Sequence, residues 1–333
     1  MSTDPLESLL SPLSPESPCG ADPEYDPAFL ALQEASAGRG EQQFGSTVIA
    51  AREPDWPSVH QQARELVERT RDLRTAVLFT RSGARVEGLP GAARGLQLVR
   101  GLLERYWDDV HPRLDASEGG DPTARLNALS ALSHPAAGLA DIRAASLTGQ
   151  RGSVTVRDIE LAIGRADPLP GEGVPTEEGV MQGVQAAIAA QPAVAQQMLD
   201  ASEASLALTA CFEQRLDATF TPDLEALQRL LKRVAATARR AAAKPAPAAS
   251  AGADGSADGA APAPPPGTLS SREDVIRSLE RACEWIERNE PTNPAPLLIR
   301  RSQRLMTKNF VDIIRDLVPE GVAQIEKLAG SGK

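Results

Sequence analysis

Apolar residues recur every three or four positions along most of the chain, and alternating β-branched runs are almost absent. This is the spacing of amphipathic helices, so the pattern predicts an all-α fold. Over residues 1–150 it predicts short antiparallel helices joined by brief loops, as in a bundle or a helical-hairpin stack. The clearest stretches are EPDWPSVHQQARELVERT, TRDLRTAVLFTRSG, GLPGAARGLQLVRGLLERYWDDV and DPTARLNALSALS.

Residues 151–243 form a middle region that is rich in alanine and poor in aromatic residues. Thr155 and Asp158 have the spacing of a capping box at a helix start. A longer helix is predicted over Pro192–Phe220, followed by one that begins at Thr221-Pro222. The thin apolar stripes favour an arm or helical hairpin over an independent core. Whether this region packs on the first one is left open by the sequence.

Residues 244–268 contain no large apolar side chain, so they cannot bury enough surface to offset chain entropy. They are predicted to be a disordered Pro/Ala linker. Beyond it, residues 269–333 predict three short helices. A core this small contributes only about 3–5 kcal/mol, so oligomerisation is the expected source of further stability. The apolar positions proposed for that contact are Leu297, Leu298, Ile299, Leu305, Met306, Phe310, Ile313 and Ile314.

The formal net charge of -10 and the lack of any Lys/Arg-rich block argue against nucleic-acid binding. Three widely spaced cysteines predict neither a zinc site nor a disulfide framework. The first residues lack the features of a secretion leader, and no stretch is apolar enough to span a membrane. A cytoplasmic location without direct membrane insertion is therefore expected.

No catalytic constellation, cofactor site or metal site is predicted. His111 follows Asp108 and Asp109, and these carboxylates would either raise the pKa of its imidazole or bind a metal together with it. A histidine at a helix end, near the C-terminal dipole, is the simpler interpretation. The stretch GLPGAARG is interpreted as a helix–helix turn, and the acidic run DPEYDP as a solvated turn. The basic stripe of Arg300, Arg304 and Lys308 fits an outer helix face or an acidic partner.

Trp56 and Trp107 are the candidate partner-docking residues, since tryptophan is frequent at contact hot spots. Core filling is the alternative for both. Seven of the eleven aromatic residues precede residue 110, so this part of the chain is expected to be the best packed.

Several stretches together resemble the TssA family of the bacterial type VI secretion system, whose N-terminal part is called the ImpA domain. In the first half these are SPCGADPEYDPAF (17–29), EPDWPSV (53–59), TRDLRTAV (70–77), GLPGAARGLQLVRGLLERYWDDVHPRLD (88–115) and RLNAL (125–129). Near the end they are NEPTNPAPLLIRRSQRLM (289–306) and NFVDIIRDL (309–317). None of these stretches is a catalytic signature, but their occurrence together in this order is specific to the family.

The resemblance implies a non-enzymatic cytoplasmic component that forms a homo-oligomeric ring through its C-terminal helices. It also implies contacts with baseplate, tube and sheath proteins during tail assembly. The short module after the linker favours the shorter, baseplate-associated branch over a role capping the distal end of the sheath. A monomeric or dimeric adaptor that binds a partner peptide is the alternative from another class.

Overall fold

The computed structural model describes residues 5–38, 42–44, 47–49, 53–115, 117, 119–169, 172–243, 276, 279–280, 283–284, 286–288 and 294–306. The chain divides into two compact units, Met1–Ala251 and Gly252–Lys333. The predicted all-α class is confirmed, with one small addition: a two-stranded antiparallel hairpin, β1 (Gln42–Phe44) and β2 (Thr47–Ile49).

Eleven helices and one short 3-10 turn (Ala218–Phe220) are described in the first unit. The helices are α1 (Pro5–Leu9), α2 (Pro27–Ala37), α3 (Trp56–Val67), α4 (Leu73–Val86), α5 (Leu89–Arg105), α6 (Thr123–Ser133), α7 (Gly138–Ala144), α8 (Val156–Ala162), α9 (Glu177–Ala190), α10 (Ala193–Glu213) and α11 (Glu225–Ala243). Among the described residues, no helix combines the length and apolar content that crossing a bilayer requires.

Side-chain caps fix the start of several helices. Asp26 accepts from a backbone amide at the start of α2, and Asp72 does the same for α4. The predicted capping box of Thr155 and Asp158 is confirmed at α8, and Thr176 caps α9. Each cap satisfies an amide that the helix itself leaves without a partner, typically contributing about 1 kcal/mol.

The helices α4 and α5 approach so closely that glycine is required at their contact. A Cβ on Gly91 would lie 2.4 Å from the Gly83 carbonyl oxygen, and one on Gly95 would lie 2.5 Å from the Thr80 Cα. The interpretation of GLPGAARG as a turn is therefore wrong: only Gly88, at φ 72°, belongs to the turn, and α5 begins at Leu89. The later glycines of this stretch serve helix packing.

Replacing Gly95 by alanine is expected to lower the free energy of unfolding by about 1–3 kcal/mol, because the new methyl group would overlap the backbone of α4. Denaturant titration of the full-length chain measures the loss. Gly173→Ala is the matched control, since nothing lies within 4 Å of its added Cβ. Equal stabilities for the two variants would contradict the close approach.

The middle region packs on the first one, which the sequence left open. Helix α10 lies against α5 on one side and α11 on the other, and one hydrophobic cluster continues from Leu10 to Ala241. The single helix predicted over Pro192–Phe220 is confirmed as α10 up to Glu213 and is wrong only beyond that residue. The amides of Arg215 and Leu216 both turn back to the Phe212 carbonyl, which closes α10.

In the second unit, residues 276, 279, 280, 283, 284 and 286–288 are helical, and α12 spans Ala295–Met306. Cys283 is buried near the Pro296 carbonyl, and Gln303 Nε2 donates to the Ile276 carbonyl at 3.0 Å. Arg300 pairs with Glu287 at 3.1 Å. These contacts join the helical residues before α12 to α12 itself.

Candidate partner-docking surfaces

Trp56 is the first residue of α3 and stands beside the C-terminal end of α4. The guanidinium carbons of Arg81 and Arg85 lie 5.8 and 5.3 Å from its ring centroid, at cation–π distance. The indole is half-buried, and its Nε1 is buried without a hydrogen-bond acceptor. The side chain is thus held by two cations while its one polar group is unsatisfied.

Carboxylates hold the two arginines in place. Arg81 Nε donates to Asp141 Oδ2 at 2.8 Å, and Arg85 donates to Glu53 Oε2 at 2.6 Å. Burial raises the pKa of Asp141, while the two guanidiniums oppose that shift. The network connects α4 to α7 and orients both arginines over Trp56.

A cleft of about 650 Å³ opens at this tryptophan. Its walls are the start of α3, the end of α4, and the loop between α7 and α8, where Ser146 and Thr155 form an antiparallel bridge. That loop is seated tightly: a Cβ on Gly149 would lie 2.6 Å from the Glu87 carbonyl oxygen. Fixed backbone therefore frames the cleft on three sides.

Trp107 lies in a different environment, past the end of α5. Phe212 of α10 meets its ring edge-on at 5.1 Å and 78°. The guanidinium carbons of Arg125 and Arg215 lie 5.2 and 5.0 Å from its centroid. The indole is half-buried, like that of Trp56, and its contacts come from residues of both the first and the middle regions, so it contributes to packing between them.

Two arginines within the quoted sequence stretches are buried, and sequence reasoning gave them no role. Arg125 of RLNAL is fully buried and donates to the carbonyls of Trp107, Val110 and Pro112 at 2.7–2.9 Å. Arg71 of TRDLRTAV donates to the Ser11 carbonyl at 2.8 Å. For Arg125 the available signal was an arginine beside the apolar positions of a predicted helix, where a charged head needs partners; Arg71, in the loop before α4, carried no such signal.

His111 does not act with Asp108 or Asp109, which corrects the catalytic or metal-sharing alternative. It is buried; its Nε2 lies 3.0 Å from the Gly20 carbonyl oxygen and its Nδ1 lies 3.4 Å from Asp22 Oδ2. Partial burial raises the pKa of Asp22, but the Glu24 amide and Arg74 hold it below its usual value. The acidic run is therefore tied to the helical body at Asp22.

The structure brings together a serine, a histidine and a carboxylate that the sequence did not suggest as neighbours. His60 Nδ1 lies 3.1 Å from Ser82 Oγ, and His60 Nε2 lies 3.5 Å from Glu87 Oε1. The Ser82 hydroxyl is fully buried and donates to the Leu78 carbonyl at 2.8 Å. A nucleophile needs access to substrate, so this trio connects α3 to α4 and offers no reactive hydroxyl.

The described residues contain no group of three or more potential metal ligands, and Cys19, Cys211 and Cys283 are all buried and free. Burial raises the pKa of Cys19 to about 11, far from that of a reactive thiol.

Helix α12 carries the described part of the predicted oligomer interface. Leu297 and Leu298 are 73% and 66% exposed, and Ile299 is half-buried. Leu305 and Met306 belong to the last turn of the helix. Phe310, Ile313 and Ile314 lie outside the described residues, as do Lys308 of the basic stripe and the linker. Two adjacent leucines thus project from one helix into solvent.

Comparison with known proteins places these features in a family. A family model described as "ImpA, N-terminal, type VI secretion system" matches residues 10–134. The chain is 38% identical over 337 residues to the type VI secretion system component TssA1 of Pseudomonas aeruginosa, with 97% of each chain covered.

A solved structure adds the fold. It is the N-terminal domain including the conserved ImpA_N region of the TssA component of the type VI secretion system from Burkholderia cenocepacia. The likeness has a TM-score of 0.51 at 25% identity and covers 73% of this chain and 95% of that one. The fold and these matches together define an α-helical component of type VI secretion systems with an ImpA-type N-terminal region. The chain belongs to the TssA family.

Proposed function

We propose that this chain is a non-enzymatic, cytoplasmic assembly component that forms a multi-subunit ring through residues 269–333. Its ImpA-type helical domain (1–150) and middle region (151–243) dock baseplate, tube and sheath proteins to initiate or guide tail assembly. Residues 244–268 tether the two parts. The short C-terminal module favours the baseplate-associated branch of the family.

The observation that carries this proposal is the match to TssA1 over 97% of both chains, because it extends through the linker and the C-terminal helices. Leu297 and Leu298 support the ring: burying a leucine contributes about 1.5–3 kcal/mol, and a closed ring repeats that gain at every interface. Tethered docking domains then act with avidity, so each contact with the apparatus can be weak.

Trp56 is the better of the two docking candidates. It lines a cleft that opens to solvent, whereas Phe212, Arg125 and Arg215 pack on the ring of the half-buried Trp107. Trp107 therefore already serves packing between the first and middle regions.

Replacing Leu297 or Leu298 by aspartate in the full-length chain is expected to convert the ring into monomers or dimers, because the charge would be buried at each interface. Light scattering coupled to size exclusion measures the mass, and circular dichroism checks that helix content is retained. Leu169→Asp is the matched control, a leucine of the first unit that is 66% exposed; it should leave the ring intact. A wild-type chain that is itself monomeric or dimeric would favour the adaptor alternative, and rings that survive both aspartates would exclude this interface.

A further inference from the structure

We propose that the groove between α2 and α3 binds a basic amphipathic helix of an apparatus protein. Residues between Ala28 and Gly38 line it on one side, and residues between Glu53 and Arg69 line it on the other. The inference rests on the proposed docking role of the first unit. It adds a surface whose lining includes neither candidate tryptophan, and it states the chemical class of the partner.

The groove runs along two antiparallel helices. Ala28 and Arg69 line a depression of about 540 Å³, and Gly38 and Asp55 line a second one of about 440 Å³. The start of α2 thus lies beside the end of α3, and the end of α2 beside the start of α3. Ala31 lines both depressions, which makes them continuous. From Ala28 to Gly38 the groove is about 15 Å long, at a rise of about 1.5 Å per residue.

Small apolar side chains form the floor of this groove. Ala28, Ala31 and Ala35 come from α2, and Leu66, which is 2% exposed, comes from α3. Ala28 and Ala31 are exposed, so the described residues leave their methyl groups open to solvent. Such short side chains let a third helix approach closely and place its own side chains between the two walls, as in ridges-into-grooves packing. The groove therefore has a shape that accepts a helix.

The backbone of the walls favours a helix over an extended segment. A segment that binds as a strand gains affinity from main-chain hydrogen bonds to an open sheet edge. Here both long walls are helices, whose amides and carbonyls are paired along their own axes. A helical partner pairs its own backbone groups in the same way, so it needs only side-chain contacts with the walls.

The charge of the groove selects a basic partner. Its lining contains five acidic residues and one basic residue, which are Glu34, Glu53, Asp55, Glu65, Glu68 and Arg69. A formal charge of -4 on the 14 lining residues compares with -10 on all 333 residues of the chain. The groove is therefore far more acidic than the chain as a whole.

Ion pairs with neighbouring residues do not remove this excess. Three of the lining charges are neutralised, in the pairs Glu53–Arg85, Glu68–Arg64 and Arg69–Asp26. Glu34, Asp55 and Glu65 make no ion pair with any other described residue. The dipole of α3 offsets part of the charge of Asp55, which stands at its N-terminus. Glu34 on α2 and Glu65 on α3 thus leave one uncompensated carboxylate on each wall.

The connection between α2 and α3 does not reverse the sign of this charge. Arg39, Glu41 and Arg52 lie outside the described residues, and counting all three at the groove still leaves two carboxylates in excess. Lysine or arginine side chains of a partner helix would therefore meet Glu34 on one wall and Glu65 on the other. Charge pairs at the rim of an interface chiefly raise the association rate and discriminate between partners.

The test uses the full-length chain and overlapping peptides from the baseplate, tube and sheath proteins encoded with it. Peptides of about 24 residues are long enough for about six helical turns. Fluorescence polarisation of labelled peptides measures their affinity. We expect the peptides that bind to carry Lys or Arg at spacings of three or four residues, to gain helix content on binding, and to bind more weakly as the salt concentration rises.

Two kinds of variant locate the binding at the groove. Ala31→Trp should weaken it at least about tenfold, because an exposed alanine shared by both depressions becomes a side chain that fills them. Ala37→Trp is the matched control, an exposed alanine at the end of α2 outside the lining, and should leave binding unchanged. Glu34→Gln combined with Glu65→Gln should weaken binding about tenfold. Glu213→Gln, an exposed carboxylate at the end of α10, should have no effect.

The proposal is overturned if no peptide binds, if acidic peptides bind best, or if the bound peptides tolerate a proline at their centre, which would break a helix there. Peptides that bind Ala31→Trp as well as the wild type also overturn it, but they leave docking by the first unit standing. Circular dichroism checks that each variant is folded. Light scattering of the same variants separates the groove from the ring: oligomers that persist while the groove fails leave the assembly role standing.

Discussion

Replacing Arg125 by alanine is expected to lower the free energy of unfolding of the first unit by about 3–5 kcal/mol. The guanidinium is fully buried and supplies donors to three backbone carbonyls, each of which costs about 1–3 kcal/mol when left unpaired. Burial is so complete that it lowers the pKa of Arg125 to about 10. Removal also leaves a void beside Trp107.

Denaturant titration of the full-length chain, followed by circular dichroism, measures this loss. Arg113→Ala is the matched control. Arg113 lies on the same stretch after α5, is exposed, and among the described residues pairs with Asp109 alone, at 3.3 Å, so the change should cost no more than about 0.5 kcal/mol. Arg125→Lys should fall between the two, because an ammonium group lacks the planar fork that reaches three carbonyls. A loss for Arg125→Ala as small as that of the control would show that the carbonyl clamp does not stabilise the fold.

Replacing Glu160 by glutamine is expected to lower the free energy of unfolding by about 2–4 kcal/mol. This carboxylate is 1% exposed and accepts from Arg143 of α7 at 2.6 Å and from Arg233 of α11 at 3.1 Å. The amide would leave two guanidiniums facing each other without a counter-charge. Breaking a buried pair typically costs 3–5 kcal/mol, and the partial exposure of both arginines reduces that figure.

The matched control is Glu225→Gln, which removes an exposed i,i+4 pair with Arg229 and should cost less than about 0.5 kcal/mol. Limited proteolysis supplies a second measurement. Because Glu160 joins α7 to α8 and α11, Glu160→Gln should speed cleavage within residues 225–243 more than cleavage within α4. Uniform cleavage of all helices would contradict a local connection between the ImpA-type and middle regions.

These two side chains explain how the first and middle regions become one body. Arg125 fixes the backbone that leads out of α5 toward α6, and Trp107 on that backbone meets Phe212 of α10. Glu160 adds an ionic connection on α8. The apolar contact between α5 and α10 supplies the surface that is buried between the two regions, while the polar contacts fix how the helices are oriented there.

The sequence by itself determined the fold class, the helical period of EPDWPSVHQQARELVERT, which forms α3, and the capping box at Thr155. These features are local: the period of a helix and the hydrogen bonds of its first turn depend on residues at most four apart. The family could also be identified from the sequence, because its motifs are short stretches that occur in a fixed order along the chain.

Only the tertiary structure decided the features that join distant segments. His60 meets Glu87, His111 meets Asp22, and Glu160 meets Arg233 across 27 to 89 residues of chain, a separation that no local pattern encodes. The glycines of GLPGAARG show the same limit, since a helical glycine at a close contact and a turn glycine look alike in sequence. Packing distinguishes the turn glycine from the helical glycines. Burial, close approach and charge pairing all depend on which helices meet, and the choice of helices that meet depends on the whole core.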